Sequence, residues 1–262
     1  MQKYVISSSD ANLKYCYYLP IVAVMWQRIG YTSLSLMLGD RKEWAKTPLT
    51  KYIYEKTDEV SKIITLKRIE GFQDSTIVQV ARLFVAGEPF PEDDYLLTWD
   101  VDALPLNPSW FTQQDFNYDF NSFGGDWSSD LYCLWPQGAR VKQWRILMGI
   151  FESDINNEMA LAIDPLKDGW CYDESLLTER LSDYQGKIQI IPRWPNGRII
   201  GRLDRYDWQF HGQTDLIDCH LFRPGYEHWD KLEPVFKAYC GNADYDYIKK
   251  YTEDFLNLCE NM

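Results

Sequence analysis

Two carboxylates stand one residue apart at the end of an apolar run. Tyr95-Leu96-Leu97-Thr98-Trp99 reads as a buried strand that ends in Asp100-Val101-Asp102, and Ala103-Leu104-Pro105-Leu106 follows. A strand delivering two carboxylates at its C-terminal edge can hold a divalent cation, and that cation can hold a diphosphate. Spacing alone does not select this triplet. With 25 Asp in 262 residues, about two such triplets are expected by chance. Asp244-Tyr245-Asp246 is a second one, and its place before a helical pattern reads as a solvated helix start.

The elements around the first triplet decide the matter. Lys3–Ser7 reads as a short buried strand followed by the polar loop Ser8-Ser9-Asp10-Ala11-Asn12. Pro20 suits a first helical turn, Ile21, Val24, Met25 and Ile29 share one face, and Gly30 ends the helix. Ser33–Leu38 is a second strand closed by Gly39-Asp40, and Lys62–Leu66 is a third. Asp74 is placed to cap a helix with Ile77, Val80, Ala81 and Phe84 at helical spacing, ended by Gly87. The order β-α-β-(loop)-β-α-β predicts a mostly parallel sheet with right-handed crossovers. Ligands bind such sheets beyond the carboxyl ends of the strands, so Ser8–Asn12, Gly39-Asp40 and Asp100/Asp102 are expected at one rim.

Beyond residue 106 the pattern is weaker. Phe111–Asp130, with Gly124-Gly125, reads as a mobile loop over the site, and Trp127–Trp135 as a strand. Val141–Phe151 and the stretch opened by Asp173-Glu174 are helical, Lys187–Ile191 and Arg198–Ile200 are β-like, and Trp229–Tyr239 and Tyr247–Leu258 form two terminal helices. With no repeat or linker, 1–262 reads as one domain.

Net charge is −12, which argues against binding nucleic acid through phosphates or docking on an anionic membrane. No run reaches the roughly 18 apolar residues a membrane span needs, and the N-terminus is too polar for a signal peptide. A cytoplasmic location is expected. The six Cys carry no C-x-x-C and read as reduced thiols. Eleven Trp and 18 Tyr offer stacking surfaces for sugars or rings, with Trp127, Trp135, Trp170 and Trp208 the candidates.

With the Asp-x-Asp strand end in place, the chain resembles GT-A glycosyltransferases. More locally it is similar to the soluble glycosyltransferase domains of large algal DNA viruses, for which the location would be the host cytoplasm. The segments are Tyr18-Leu19-Pro20-Ile21 with Trp26 and Gly30-Tyr31, Gln79-Val80-Ala81-Arg82, Asp100-Val101-Asp102, Trp170-x-x-Asp173-Glu174, Arg202-x-Asp204-Arg205-x-x-Trp208 and Asp218-Cys219-His220-Leu221-x-Arg223-Pro224-Gly225. The resemblance implies a GT-A, Rossmann-like α/β fold with a mostly parallel central sheet flanked by helices and C-terminal helices. It implies a nucleotide-sugar-binding half, 1–106, and an acceptor-binding half, 107–262. It also implies Mn²⁺ (or Mg²⁺), with a UDP-sugar as donor, a glycan acceptor hydroxyl, and His220 as a further metal ligand; imidazole beside carboxylates favours Mn²⁺.

Under that resemblance Asp102 is the first metal ligand, and Asp100 holds ribose or a metal-bound water. Asp173 or Glu174 is the base of an inverting reaction, although acids in a first helical turn also complement the dipole without further function; Asp126 and Asp154 are lesser candidates. Arg82 reaches a phosphate or the donor sugar, Asp40 the base ring, and Ser7 and Asp10 the uridine or ribose. His211 and His228 read as surface residues. Asp102→Asn is expected to abolish turnover while leaving the fold intact. Two other functions suit parts of the sequence. A sugar nucleotidyltransferase would carry a Gly-rich basic loop after the first strand, where Ser8–Asn12 has none. A non-catalytic glycan-binding module would need the aromatics but no metal-bearing strand end.

Overall fold

The structure is a computed structural model. It describes residues 1–124, 132, 136–151, 154–164, 169, 171–194 and 199–262. In chain order the elements are β1 (Lys3–Ser9), α1 (Leu13–Cys16), α2 (Leu19–Gln27), β2 (Thr32–Leu38), α3 (Arg41–Trp44), α4 (Pro48–Val60), β3 (Lys62–Leu66), α5 (Asp74–Phe84), β4 (Tyr95–Thr98) and β5 (Ala103–Pro105). There follow β6 (Phe120–Phe123), β7 (Gln137–Arg140), α6 (Val141–Met148), α7 (Ile155–Ala162), α8 (Tyr172–Ser182), β8 (Ile188–Ile191), β9 (Arg202–Asp204), β10 (Asp218–His220), α9 (Trp229–Tyr239) and α10 (Asn242–Glu260).

Seven strands form the central sheet in the order β3-β2-β1-β4-β7-β6-β8. Only β7 runs against the rest, being antiparallel to both β4 and β6 while the other neighbours are parallel. Alternation along the strands sends Ile6, Leu34, Leu36, Leu38 and Leu96 to the face covered by α5, α6, α7 and α8. Val5, Met37 and Leu97 go to the other face, under α2, α9 and α10. The mostly parallel α/β sheet flanked by helices is therefore as the sequence implies, and both faces are dry, as parallel sheets require.

Several local expectations need correction. α2 has no single apolar face: Leu19 to Trp26 are all buried, Ile29 lies beyond its end, and Gly30, at φ +87°, closes the following turn. Asp74 does not cap α5; it is the first helical residue and accepts from Arg68 Nε at 3.2 Å. The stretch read as a loop between β2 and β3 holds two helices. Asp40 caps α3, accepting from the backbone N–H of Lys42 and Glu43, and Thr47 caps α4. α4 buries only Leu49, Thr50, Ile53 and Thr57, a stripe too narrow and too polar to stand out in the sequence. The excursion over Phe111–Asp130 contains β6, a strand inside the central sheet. Ile199 and Ile200 are outside any strand, which comes instead at β9, where Leu203 is buried.

Gly125, Asp126, Trp127, Cys133, Trp135 and Trp170 lie outside the described residues, and with them most of the strand expected over Trp127–Trp135. Cys16, Cys171, Cys219, Cys240 and Cys259 are free thiols. Among the described residues no helix is long and apolar enough to cross a membrane.

A second sheet of three short strands, β5-β10-β9, stands beyond the end of β4. Its β5 begins one residue after Asp102, so whatever pairs with β5 is brought to the Asp-x-Asp turn.

Candidate active site

β1 and β4 are parallel neighbours, with Lys3–Ile6 alongside Tyr95–Thr98, and β2 and β3 extend from β1 in the opposite direction. Strand order reverses between β1 and β4, and an open α/β sheet has its ligand crevice beyond the carboxyl ends of the strands at such a point. A cavity of about 280 Å³ occupies that position, lined by Ser8, Ser9 and Asp10 from β1 and its loop, Arg82 from α5, Asp100 and Asp102 from the end of β4, and Arg223 from the segment after β10.

The Asp-x-Asp turn is held from beneath. Trp99 Nε1 donates to the Ala103 carbonyl at 2.8 Å across the turn, and the Ala103 N–H donates to the Asp100 carbonyl at 3.2 Å. The Trp99 indole packs edge-on against Trp26 and Phe111, with centroids 4.9 and 5.3 Å away. Val101 is buried against this core and lines the cavity between the two carboxylates.

Asp100 faces Arg82. Arg82 is 6% exposed, and its Nη1 donates to Asp100 Oδ1 and, at 3.1 Å, to the Trp99 carbonyl. Its Nη2 donates to Asp173 Oδ2 at 2.9 Å. Asp173, at the start of α8, is buried, which pushes its pKa up; Arg82 opposes that shift, while nearby Asp100 adds to it. One guanidinium here serves two carboxylates.

Asp102 faces the second sheet. β10 pairs antiparallel with β5 and parallel with β9, placing His220 beside Ala103 and Asp204, and the Leu221 N–H donates to the Asp102 carbonyl at 2.8 Å. Arg205 Nη1 donates to Asp102 Oδ2 at 2.6 Å, Arg223 Nε donates to the same oxygen, and His220 Nε2 lies 3.5 Å from it. Burial alone would raise the Asp102 pKa, but His220 and Arg223 outweigh it and hold the carboxyl far below its usual range. His220 Nδ1 is 3.2 Å from Asp204 Oδ2. Burial raises the Asp204 pKa, and the imidazole, the Tyr206 N–H and Arg202 together lower it more, to about 2. Burial lowers the His220 pKa, but Asp102 and Asp204 raise it further, so the imidazole is held between two ionised carboxylates.

The structure thus brings Asp100, Asp102, Arg82, Asp173, His220 and Asp10 to one place. Asp10 is half-buried in the cavity wall, and that burial raises its pKa. Ser7 is buried within β1, one residue short of the lining. Asp40 is exposed at its helix cap and does not line the cavity. Glu174 is half-buried beside the Cys171 thiol. Asp154 caps α7, and Trp208 packs on Phe222 with centroids 4.7 Å apart. His211 is exposed, whereas His228 is half-buried against Phe222, a correction to its reading as a surface residue. Sequence reasoning assigned no role to Arg205, Arg223 or Asp204, although all three lie in the segments that carry the resemblance.

The donor types at Asp102 and His220 fit a divalent cation. The imidazole sets Nδ1 against the Asp204 carboxylate and Nε2 toward Asp102, and a carboxylate behind the ring is a common support for a histidine ligand. The set is not closed: among the described residues no three His, Cys, Asp or Glu side chains gather as a cation site, and Asp100 is held on Arg82.

No family model and no curated protein matches the chain by sequence. Solved structures do match. The glycosyltransferase GlyE of Streptococcus pneumoniae TIGR4 superposes with a TM-score of 0.52 at 12% identity, over 98% of this chain and 64% of that one. The galactosyltransferase LgtC in complex with donor and acceptor sugar analogs gives 0.48 at 12% identity, over 96% and 95%. A mutant of Drosophila β1,4-galactosyltransferase 7 with manganese, UDP-Gal and xylobiose gives 0.46 at 11%, over 85% and 72%. At 12% identity the likeness to GlyE is one of fold.

Proposed function

We propose that this protein is a glycosyltransferase that moves a sugar from a nucleotide-sugar, UDP-linked, to a hydroxyl of a glycan acceptor, with a divalent cation. The observation that carries the proposal is the placement of Asp100 and Asp102 at the strand-order reversal with His220 Nε2 turned toward Asp102. Charge supports the cation. Among the described residues, three carboxylates (Asp10, Asp100 and Asp102) and two guanidiniums (Arg82 and Arg223) line the cavity, leaving it short of positive charge for a diphosphate. Asp102 and His220 would hold Mn²⁺, which would offset charge on the departing diphosphate. Arg82, fixed from behind by Asp173, keeps Asp100 at the rim.

Inversion, with Asp173 or Glu174 as base, is the finer part of the proposal. Asp173 is bonded to Arg82, and Glu174 lies half-buried beside the Cys171 thiol. The division into a donor half, 1–106, and an acceptor half, 107–262, is likewise proposed. It agrees with the cavity drawing most of its lining from the first half, with Arg223 the one lining residue from the second among the described residues. The narrower likeness to algal-virus domains, and with it a host cytoplasm, rests on the sequence segments alone.

The test is sugar transfer and donor hydrolysis across a panel of sugar nucleotides with Mn²⁺, Mg²⁺ or EDTA. Cation-dependent release of a nucleoside diphosphate is expected, and NMR of the product's anomeric proton reads the stereochemistry. A protein that hydrolyses and binds no sugar nucleotide under any of these conditions is not a glycosyltransferase.

A further inference from the structure

A second cavity, of about 370 Å³, lies at the edge of the central sheet opposite the Asp-x-Asp turn. β7 is antiparallel to β4, with Tyr95 beside Arg140, so α6 starts where β4 starts. α8 begins with Asp173 against Arg82 and runs for 11 residues, about 16 Å, away from the turn. β8, which follows it, starts beside Phe120, the partner of Ala139, and so at that opposite edge. The cavity is the groove between α6 and the end of α8. Gln143 and Ile146 wall it on one side, and Glu179, Arg180, Asp183 and Tyr184 on the other.

The protein itself fixes the floor of this groove. Tyr184 Oη donates to Gln143 Oε1 at 2.7 Å, Gln143 Nε2 donates to Asp119 Oδ1 at 2.9 Å, and Asp119 Oδ2 accepts from the Lys187 N–H at 2.9 Å. These bonds tie α6 to the turn before β8. Gly186 lets the Tyr184 ring lie against the backbone, since a Cβ there would meet the ring at 2.4 Å. Arg180 is the exception among these partnered groups. It is half-buried, its Nε is shut off from solvent with nothing to bond, and it makes no ion pair among the described residues. A guanidinium that lines a cavity and bonds to nothing in the protein calls for an acceptor from outside it.

Charge selects that acceptor. Among the described residues, Glu179 and Asp183 against Arg180 leave the groove net negative, which disfavours phosphate, sulfate and nucleotides. Ile146 is 67% exposed, and with the Tyr184 ring it offers apolar surface between the polar groups. A neutral sugar matches this mixture. Each hydroxyl both donates and accepts, so neighbouring hydroxyls can bond a guanidinium and a carboxylate together. The C–H face of the sugar ring can cover the isoleucine and the tyrosine.

We propose that this groove binds a neutral oligosaccharide. Resting on the reading of the first cavity as a glycosyltransferase site, the bound stretch is the far part of the acceptor, and the groove is a second grip on it. The acceptor is then a glycan long enough to pass along α8, and its two contacts reinforce each other as linked sites do.

Heteronuclear NMR of the whole protein tests this with neutral hexasaccharides of glucose, mannose, xylose and N-acetylglucosamine. At least one is expected to shift the amides of residues 143–147 and 179–186, and to bind tenfold more weakly to Arg180→Ala. Asp183→Ala, at an exposed position, should weaken it threefold or more, and stands in if Arg180→Ala fails to fold by circular dichroism. With that hexasaccharide as acceptor, Arg180→Ala should raise KM several-fold and leave kcat and the KM of the corresponding disaccharide unchanged. A KM raised equally for both, or for neither, overturns the second grip. Binding of no hexasaccharide, shifts confined to residues 8–10 and 100–102, or tighter binding of inorganic phosphate or putrescine in the groove overturns the groove itself. A separate titration with UDP and Mg²⁺ keeps the two readings apart: shifts at residues 8–10 and 100–102 uphold the donor site whatever the groove does, and their absence strikes the donor site and the second grip but not oligosaccharide binding in the groove.

Discussion

The two carboxylates of the Asp-x-Asp turn sit in mirror-image surroundings. At Asp100 one guanidinium is shared with a second, buried carboxylate; at Asp102 one carboxylate is shared by two guanidiniums and an imidazole. The first cluster is short of positive charge and is made by the central sheet and the helices on it. The second sets two guanidiniums and an imidazole beside Asp102 and Asp204, and is made by the small sheet. Val101, buried between them, keeps the two apart.

The largest effect should come from removing the shared carboxylate. Asp102→Asn leaves Arg205 and Arg223 against a neutral amide, and breaking a buried ion pair from one side costs about 3–5 kcal/mol. The denaturant midpoint should fall with the slope unchanged, and turnover should be lost. This adds a stability loss to the sequence-based expectation of an inactive protein with its fold intact. A midpoint within experimental error of the wild type would show that the Asp102 cluster carries no stability and would dissolve the contrast.

A smaller loss is expected at the other cluster. Arg82→Met strands Asp173, which is buried, while Asp100, half-exposed, can turn to water. Asp173 can take a proton in response, which limits the loss to about 2–3 kcal/mol. Adding Asp173→Asn should recover part of it, since the double variant buries no unpaired charge. A double-mutant cycle with additive losses would show that the two residues do not act as a pair. Arg82→Lys should not restore the wild type, because an ammonium lacks the fork that spans two carboxylates.

The mirror symmetry was half legible in the sequence. Periodicity located β1, β2, β3, β4 and α5, and the apolar run ending at Trp99 placed Asp100 and Asp102 at the strand end. Asp173 was also found, as an acid opening a helix, but its bond to Arg82 was not, because it joins residues 91 apart. The Asp102 cluster depends on β5, β9 and β10, each three residues long. Strands that short carry no readable alternation, and the pairing of Ala103–Pro105 with Asp218–His220 crosses more than a hundred residues of chain. Arg205 and Arg223 could not be given roles until that pairing was known. α4 escaped for a different reason: its buried stripe includes two Thr, so no apolar period marks it.

The finest test asks which way burial and Arg82 balance at Asp173. Burial is the larger influence, and with Asp100 nearby it leaves the folded pKa above the ordinary carboxyl value despite Arg82. Between the ordinary value, about 3.9, and the raised one, the folded protein binds more protons than the unfolded chain. Stability from this group is therefore fully present below the ordinary value and is lost as pH rises through the folded pKa. Asp173→Asn has no such proton to lose and keeps an oxygen for the Glu174 N–H, which Asp173 Oδ1 accepts at 2.9 Å. Wild-type stability relative to Asp173→Asn should therefore decline as pH rises from about 4, then level off. A difference that grows with pH instead would mean that Arg82 wins, that Asp173 is held ionised like Asp102, and that the two clusters differ in stoichiometry but not in the state of their buried acid.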